Sequence, residues 1–187
     1  TFKNDITELE EKAFCDCRTL TEIYIPESVK SIAGHYGELN SEAGTWGAFW
    51  CCDSLKMVAI YGSPQIIGNP FVSTPSLSKF VSSYASDDGR CLIIGSTLFS
   101  FAPAGLEEYT IPSGVTTISA YAFYGCEYLK LITIPSTVTK FGYDAFDDCY
   151  NLSVNITDLT SWCKIDINNK YANPIYTGGE PLYINGI

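Results

Sequence analysis

The sequence predicts a β-rich (α/β) solenoid, in which short strands of successive coils pair in parallel and short corners connect them. Three observations predict this fold. The motif Ala-Phe-x-x-Cys at residues 122–126 recurs 23 residues later at residues 145–149. Pro112 and Pro135 are separated by the same interval. In residues 22–25 polar and apolar side chains alternate, as in a half-buried strand, and Pro26 ends the run. Self-similarity at such a period is typical of repeat proteins.

The first two repeats are separated by a longer interval than the others. Residues 13–29 carry the whole motif, and residues 48–60 carry most of it. The extra twelve residues between them are rich in glycine, so we expect a surface-loop insertion over residues 33–47, because insertions in repeat proteins map to loops. A weaker third repeat follows over residues 71–80, with Thr74 where the other repeats have cysteine.

A second interruption, over residues 86–103, is predicted to be an inserted β-hairpin packed on the stack. Two apolar runs, residues 91–94 and 98–103, flank a turn that contains Gly95. The regular period then resumes and continues to Leu152, after which the spacing shortens by one residue. This shortening predicts either a bulge or a shifted strand start.

The last part of the chain, residues 157–187, is predicted to be a variant C-terminal unit. A corner is expected to carry Trp162 into the core, with a turn at residues 176–179 and a strand at residues 182–184. We expect residues 1–187 to form one solenoid of five to six rungs. A single 23-residue repeat buries too little apolar surface to offset the ordering of its backbone, roughly 1 to 2 kcal/mol per residue. Stability therefore depends on stacking, and Phe14, Phe123 and Phe146 should align in one column.

Composition and charge exclude several functions. The net charge is −10 and the pI is about 4.4, so nucleic acid and anionic membrane surfaces are not expected as partners. No run of 18 apolar residues is present, so we expect no integral membrane domain. The chain opens on Thr1 without an apolar leader, which is typical of a mature or trimmed chain whose targeting segment is not in view.

The eight cysteines are expected to be mainly free core thiols. Four of them, Cys17, Cys52, Cys126 and Cys149, occupy the same position of different repeats, as a small buried side chain would. Their distribution lacks the paired spacing and histidine partners of a zinc site, so no metal and no cofactor are predicted. Disulfides between adjacent rungs remain an alternative, because neighbouring coils can approach within bridging distance.

Catalytic residues are not predicted. The only histidine, His35, lies in the glycine-rich insertion, where a solvated side chain is expected rather than an oriented base. Cys163 has no second histidine to activate it. The carboxylates lie on predicted corners and turns, which indicates a solvated acidic face; a weak calcium site at Asp144, Asp147 and Asp148 is an alternative, although an EF-hand spacing is absent.

The repeat motif Ala-Phe-x-x-Cys-x-x-Leu-x-x-Ile-x-Ile-Pro-x-x-Val resembles the BspA-like leucine-rich repeats, also called the Treponema pallidum type. It is nearly complete at residues 13–29 and 122–138 and partial at residues 48–60 and 145–152. The resemblance implies a leucine-rich-repeat right-handed superhelix with a parallel sheet. It also implies an extracellular or cell-surface location and adhesion to host or microbial surface proteins.

Binding is expected at the outward side chains of the strands and at the insertion, because solenoids bind partners through extended surfaces. The candidate binding residues are Glu22, Tyr24, Tyr36, Trp46, Met57, Lys79, Glu108, Thr110, Leu131 and Thr133. Trp46 has the alternative role of a plug folded over the stack end. Two other functions stay open: a structural spacer in a larger surface protein and, less favoured, a carbohydrate-active or hydrolytic enzyme with two convergent carboxylates.

Overall fold

The structure is a computed structural model that describes residues 5–35 and 46–186 of the chain. Within these residues, short strands alternate with corners and turns, and helices appear only near the C-terminal end. The strands are β1 (Glu8–Leu9), β2 (Glu22–Ile25), β3 (Ser31–Ala33), β4 (Met57–Ile60), β5 (Gln65–Ile67), β6 (Lys79–Val81), β7 (Cys91–Ile94), β8 (Thr97–Phe101), β9 (Glu108–Thr110), β10 (Thr117–Ile118), β11 (Leu131–Ile134), β12 (Lys140–Phe141), β13 (Ser153–Ile156), β14 (Asp166–Ile167) and β15 (Leu182–Ile184). The helices are α1 (Leu159–Trp162) and α2 (Pro174–Gly178), with a 3-10 turn at Lys170–Ala172 between them.

The strands form four sheets, and the chain belongs to two blocks. In the N-terminal block, β1 to β6, the sheets have the orders β1-β3-β5 and β2-β4-β6. In the C-terminal block, β7 to β15, the orders are β7-β8-β10-β12-β14 and β9-β11-β13-β15. All pairings between these strands are parallel except that of β7 with β8. The predicted parallel β-rich solenoid is therefore confirmed.

Aromatic rings stack from coil to coil, as the repeat predicts, but in two columns instead of one. In the N-terminal block the ring centroids of Phe14 and Phe49 are 5.0 Å apart, and those of Phe49 and Phe71 are 5.1 Å apart. In the C-terminal block Phe123 lies 4.7 Å from Phe101 and 5.0 Å from Phe146. The rings at equal repeat positions therefore cover one another within each block.

The corners add a backbone ladder to this stacking. The amide of Phe14 donates to the carbonyl of Ala48 at 2.7 Å, and the amide of Phe123 donates in the same way to Ala145 at 2.9 Å. The second residue after each corner phenylalanine has a left-handed backbone. These residues are Asp16, Cys51, Ser73, Gly125 and Asp148. Only one of them is glycine, so the other four corners hold a conformation that costs an L-residue roughly 1 to 2 kcal/mol.

The hairpin lies within a sheet and not on the stack, where it had been expected. Strand β8 pairs antiparallel with β7 on one side and parallel with β10 on the other, with Thr97 opposite Thr117. The hairpin therefore forms one rung of the C-terminal block. Its side chains close both cores, since Leu98 packs in the C-terminal core and Leu92 in the N-terminal core.

The C-terminal unit differs from the sequence-based expectation in one place. Residues 176–179 were expected to form a turn, but they belong to and terminate α2. Asn173 caps the helix by accepting from the amide of Ile175, Pro174 occupies the first turn, and Gly179 ends it with φ of 68°. This is the usual combination of start and stop signals for a helix.

Two other expectations for this unit agree with the structure. Trp162 is half-buried and packs on the ring of Phe141 at 6.0 Å. Strand β13 pairs with β11 in one continuous register, with Leu131 opposite Ser153. The shortened spacing after Leu152 is therefore a shifted strand start and not a bulge.

Candidate binding surfaces

The strand face is the set of outward-pointing side chains on β2, β4, β6, β9, β11, β13 and β15. In the C-terminal block it forms two aligned rows, because the parallel register places equal positions side by side. One row contains Glu108, Leu131 and Ser153, and the other contains Thr110, Thr133, Asn155 and Tyr183. Between the rows lie buried residues such as Ile132 and Val154. The face is thus regular and mostly uncharged.

In the N-terminal block the strand face has a different character. Its rows contain Glu22, Met57 and Lys79, and Tyr24, Ala59 and Val81. Tyr24 is half exposed and donates to Glu22 at 2.9 Å, whereas Ala59 is buried. The sequence predicted one continuous face, but β6 and β9 belong to different sheets, so the face is divided into two parts.

A shallow recess lies on the C-terminal part of the strand face. Its volume is about 330 Å³. The lining residues are Lys130, Leu131, Ser153, Asn155, Tyr183 and Gly186. The amide of Gly186 donates to the side chain of Asn155 at 2.9 Å, and the amide of Asn155 donates to the hydroxyl of Thr133 at 3.2 Å. These bonds hold the polar side chains of the recess in fixed positions.

The insertion contributes an aromatic cluster at the side of the stack. Trp46 is half-buried, lies 4.7 Å from Trp50 and has the ammonium of Lys12 at 5.0 Å from its ring. Tyr36, the other candidate from the insertion, lies outside the described residues. Trp46 is therefore anchored against a corner through ring contacts, and part of it remains accessible.

His35 is buried, contrary to the solvated histidine that the sequence predicted. Its ring lies 4.3 Å from Tyr121 and 5.2 Å from Trp50, and its backbone pairs with that of Asn69. Burial lowers the pKa of His35 from 6.5 to about 4. The glycine-rich composition around His35 hid this burial, because the aromatic residues that cover it are distant in sequence.

The repeated cysteine position has a second role besides filling space. The thiol of Cys52 donates to the carbonyl of Phe14 at 3.0 Å, and the thiol of Cys149 donates to that of Phe123 at 2.9 Å. Each bond joins a corner to the preceding one. Burial raises the pKa of Cys52 to about 12, so the thiol keeps its proton. All eight cysteines lie in the described residues and are free, with Cys52, Cys126 and Cys149 buried as predicted and Cys17 partly buried.

The carboxylates at Asp144, Asp147 and Asp148 serve the corners. The buried Asp144 accepts from the side-chain amide of Asn169 at 2.7 Å. Burial, together with the neighbouring carboxylates, raises the pKa of Asp147. Across residues 5–35 and 46–186, no group of three or more His, Cys, Asp or Glu residues has an arrangement able to hold a metal ion. In the same residues, no helix is long and apolar enough to cross a membrane.

A cleft opens on the corner side of the molecule, where the two blocks meet. Its volume is about 360 Å³. Its walls are the corner at residues 69–75 and the corner at residues 121–128, and Phe101 lies between them. The sequence analysis missed this cleft. A signal was present, because the hairpin rung has fewer residues between its two strands than the other rungs.

Coils with parallel strands in register, stacked corner phenylalanines and few helices define the class of leucine-rich-repeat solenoids. The model of the BspA type leucine rich repeat region matches this chain in six copies, over residues 1–36 and 92–170. The chain belongs to this family. Among curated protein sequences, none matches the chain significantly.

Solved structures of bacterial leucine-rich-repeat proteins are similar to this chain. A leucine-rich repeat protein from Bacteroides ovatus is 23% identical with a TM-score of 0.51, covering 97% of this chain and 42% of its own. A leucine rich cell surface protein from Faecalibacterium prausnitzii is 28% identical with a TM-score of 0.47, covering 78% and 34%. The pneumococcal vaccine antigen PcpA is 18% identical with a TM-score of 0.48, covering 80% and 42%. The chain thus spans about two fifths or less of the length of these relatives.

Proposed function

We propose that this chain is a noncatalytic binding module of a cell-surface or secreted protein, and that it adheres to a protein on a host or microbial surface. Membership of the BspA-type family supports a role in protein interaction and, through the resemblance described above, a location outside the cell. The strand face is the proposed contact surface. Its candidate residues remain those predicted from the sequence, except that Tyr36 lies outside the described residues.

The observation that carries the proposal is the four-residue row Thr110, Thr133, Asn155 and Tyr183. The side chains of a parallel sheet are pre-positioned by the backbone, so a partner that binds along the row orders few side chains. Tyrosine and threonine also suit protein contacts, because they combine apolar surface with a hydroxyl group. The adjoining recess gives the row a depression that a partner side chain can occupy.

The experiment compares two pairs of Thr→Arg substitutions. Thr110→Arg with Thr133→Arg changes the strand face, and Thr117→Arg with Thr139→Arg makes the same chemical change on the sheet that contains β10. Binding to host cells, to microbial cells and to immobilised extracellular matrix proteins is measured for each. We expect the first pair to weaken binding at least about tenfold, and the second pair to leave it within about twofold.

Two results would contradict the proposal. Equal effects of the two pairs would show that the strand face has no special role. No binding to any of these surfaces by the unchanged protein would favour the alternative function, a structural spacer that holds other domains of a larger surface protein away from the envelope.

A further inference from the structure

The cleft between the blocks exists because one corner is short. From Gln65 to Lys79, the equivalent ends of two strands in one coil, there are 14 positions, and there are also 14 from Thr117 to Leu131. In the hairpin rung, the equivalent path from Thr97 to Glu108 has only 11. The missing residues leave the corner side of this rung open. The cleft is therefore a consequence of the covalent length of the chain.

Hydrogen bonds hold the two walls of the cleft at a fixed separation. Elsewhere the amide of a corner phenylalanine donates to the next coil, but the amide of Phe71 donates to the side chain of Asn69 at 3.0 Å. The side-chain amide of Asn69 in turn donates to the carbonyl of Tyr121 at 2.8 Å. Asn69 is buried, so it connects the walls across the rung whose corner is short. The cleft is thus a preformed feature.

The floor of the cleft is apolar and its rim is acidic. Buried residues Phe71, Phe101 and Cys126 line the floor. The carboxylates that line the opening are Asp53, Glu127 and Asp148. Among the described residues that line the cleft, none is lysine, arginine or histidine. With a net charge of −10 on the whole chain, this opening attracts cations and repels anions.

Tyrosines give the cleft a second means of holding a cation. Tyr128 is three-quarters exposed at the opening, and Tyr121 and Tyr124 belong to the same wall. Burial, and then the hydrogen bond to Asp148, raises the pKa of Tyr124, so its ring stays a neutral phenol. The face of such a ring attracts a cation, and arginine pairs with rings and carboxylates better than lysine does, because its guanidinium is planar and weakly hydrated.

The cations already near the rim leave these carboxylates available. Arg18 approaches Asp53 at 4.0 Å, but both side chains are more than half exposed, and a pair of this kind contributes little. Asp148 accepts from the hydroxyl of Tyr150 and retains capacity for further donors. The volume of about 360 Å³ lies at the lower end of the range for ligand pockets, which suits a single long side chain.

We propose that this cleft binds an arginine side chain presented by a partner protein, with the guanidinium at Asp53, Glu127 and Asp148 and the methylene chain on the apolar floor. The site lies on the corner side, separate from the strand face, so it goes beyond the proposed function. It gives the protein a second point of contact that depends on charge.

The test uses two small probes and nuclear magnetic resonance of the whole chain. Acetyl-Gly-Arg-Gly-amide is titrated to about 10 mM, and the peptide with citrulline in place of arginine is the matched neutral probe. We expect the arginine peptide to shift the amide resonances of Ala122, Gly125 and Tyr128 and to bind at least about tenfold more tightly than the citrulline peptide. Raising the salt concentration should weaken the arginine peptide alone.

Substitutions locate the effect. Asp53→Asn, Glu127→Gln and Asp148→Asn together remove the rim charges, and Asp148→Asn keeps a residue type that tolerates the left-handed backbone at this position. The control is Asp87→Asn, Asp166→Asn and Glu180→Gln, three exposed carboxylates far from the cleft in sequence. We expect the first set to weaken binding of the arginine peptide at least about tenfold and the second to change it less than about twofold.

Three results would overturn the proposal. These are equal affinity for the two probes, no resonance shift up to the highest concentration, and shifts confined to the strand face. The last result would leave the proposed strand-face function intact while refuting the cleft as a site. Conversely, shifts in the cleft with no effect of the Thr→Arg pairs on adhesion would refute the strand-face function alone.

Discussion

The two blocks use the same repeat and yet differ in regularity. In the C-terminal block, corners and strands recur at intervals of 22 or 23 residues, and the strand face has aligned uncharged rows. In the N-terminal block, the interval between the first two corners is 35 residues, and the insertion adds an aromatic cluster at the side. The comparison shows that a stack tolerates irregular length wherever the extra or missing residues fall in corners. The cleft and the aromatic cluster both arise at such places.

The largest expected effect is on the phenylalanine column. Phe123 is fully buried between two other rings, so Phe123→Ala should lower the free energy of unfolding by about 4 kcal/mol. Phe14 is only partly buried and has one stacked neighbour, so Phe14→Ala should cost about half as much. Urea unfolding measures both. Equal losses would mean that position within the column does not matter.

The next largest effect concerns the connection between the blocks. Asn69→Leu leaves the buried amide of Phe71 and the carbonyl of Tyr121 without their partner, which should cost about 3 kcal/mol. Asn155→Leu is the matched control, because Asn155 also makes two hydrogen bonds but is partly exposed and lies within one block; it should cost about 1 kcal/mol. Urea unfolding should also become less cooperative for Asn69→Leu only. A cooperative transition in that variant would contradict the role of Asn69 as a connector.

A smaller effect concerns the pH dependence of stability. The pKa of His35 is about 4 in the folded chain and 6.5 in the unfolded chain, because burial disfavours the charged ring. The unfolded chain therefore binds more protons as pH falls below 6.5, and stability falls with it. Between pH 7 and 5.5 the loss should be about 1 kcal/mol.

His35→Gln is the control for this pH dependence. His35 is the only histidine in the chain, so the dependence between pH 7 and 5.5 should disappear in the variant. Thermal or urea unfolding at the two pH values measures this difference. If the dependence persisted in His35→Gln, the stability change would have to come from other groups.

The smallest effect is on the left-handed corner positions. Ser73 and Gly125 occupy equivalent places with φ of 56° and 68°. Ser73→Gly should raise the free energy of unfolding by about 0.5 to 1 kcal/mol, and Gly125→Ala should lower it by about 1 kcal/mol. Opposite signs in thermal unfolding are the critical result. A destabilised Ser73→Gly variant would indicate that the serine side chain contributes more than its backbone strain removes.

Much of the fold could be predicted from the sequence, because the repeat states which side chains are buried. The positions of Phe123, Cys126 and Ile132 imply stacking with their equivalents in the next coil, and the register follows from that. The division into two columns could not be predicted in this way. It depends on the number of residues in the hairpin rung, which has no recognisable corner motif.

The candidate surfaces were only partly predictable. Alternation along β11 and β13 identified outward positions such as Thr133. The burial of His35 and the cleft around Phe101 were not identified, because both depend on contacts between segments far apart in sequence, such as that of Asn69 with Tyr121. A pattern with a short period cannot report contacts made only once in the molecule.

The most direct test of the two-block structure is amide hydrogen exchange of the corner phenylalanines. The amides of Phe49 and Phe123 donate to the backbone of the next coil, whereas that of Phe71 donates to the side chain of Asn69 at the edge of the cleft. We expect the amide of Phe71 to exchange at least about tenfold faster than the other two, because local opening at the junction needs no unfolding of either block. Equal protection of all three amides would show that the solenoid is one uninterrupted stack.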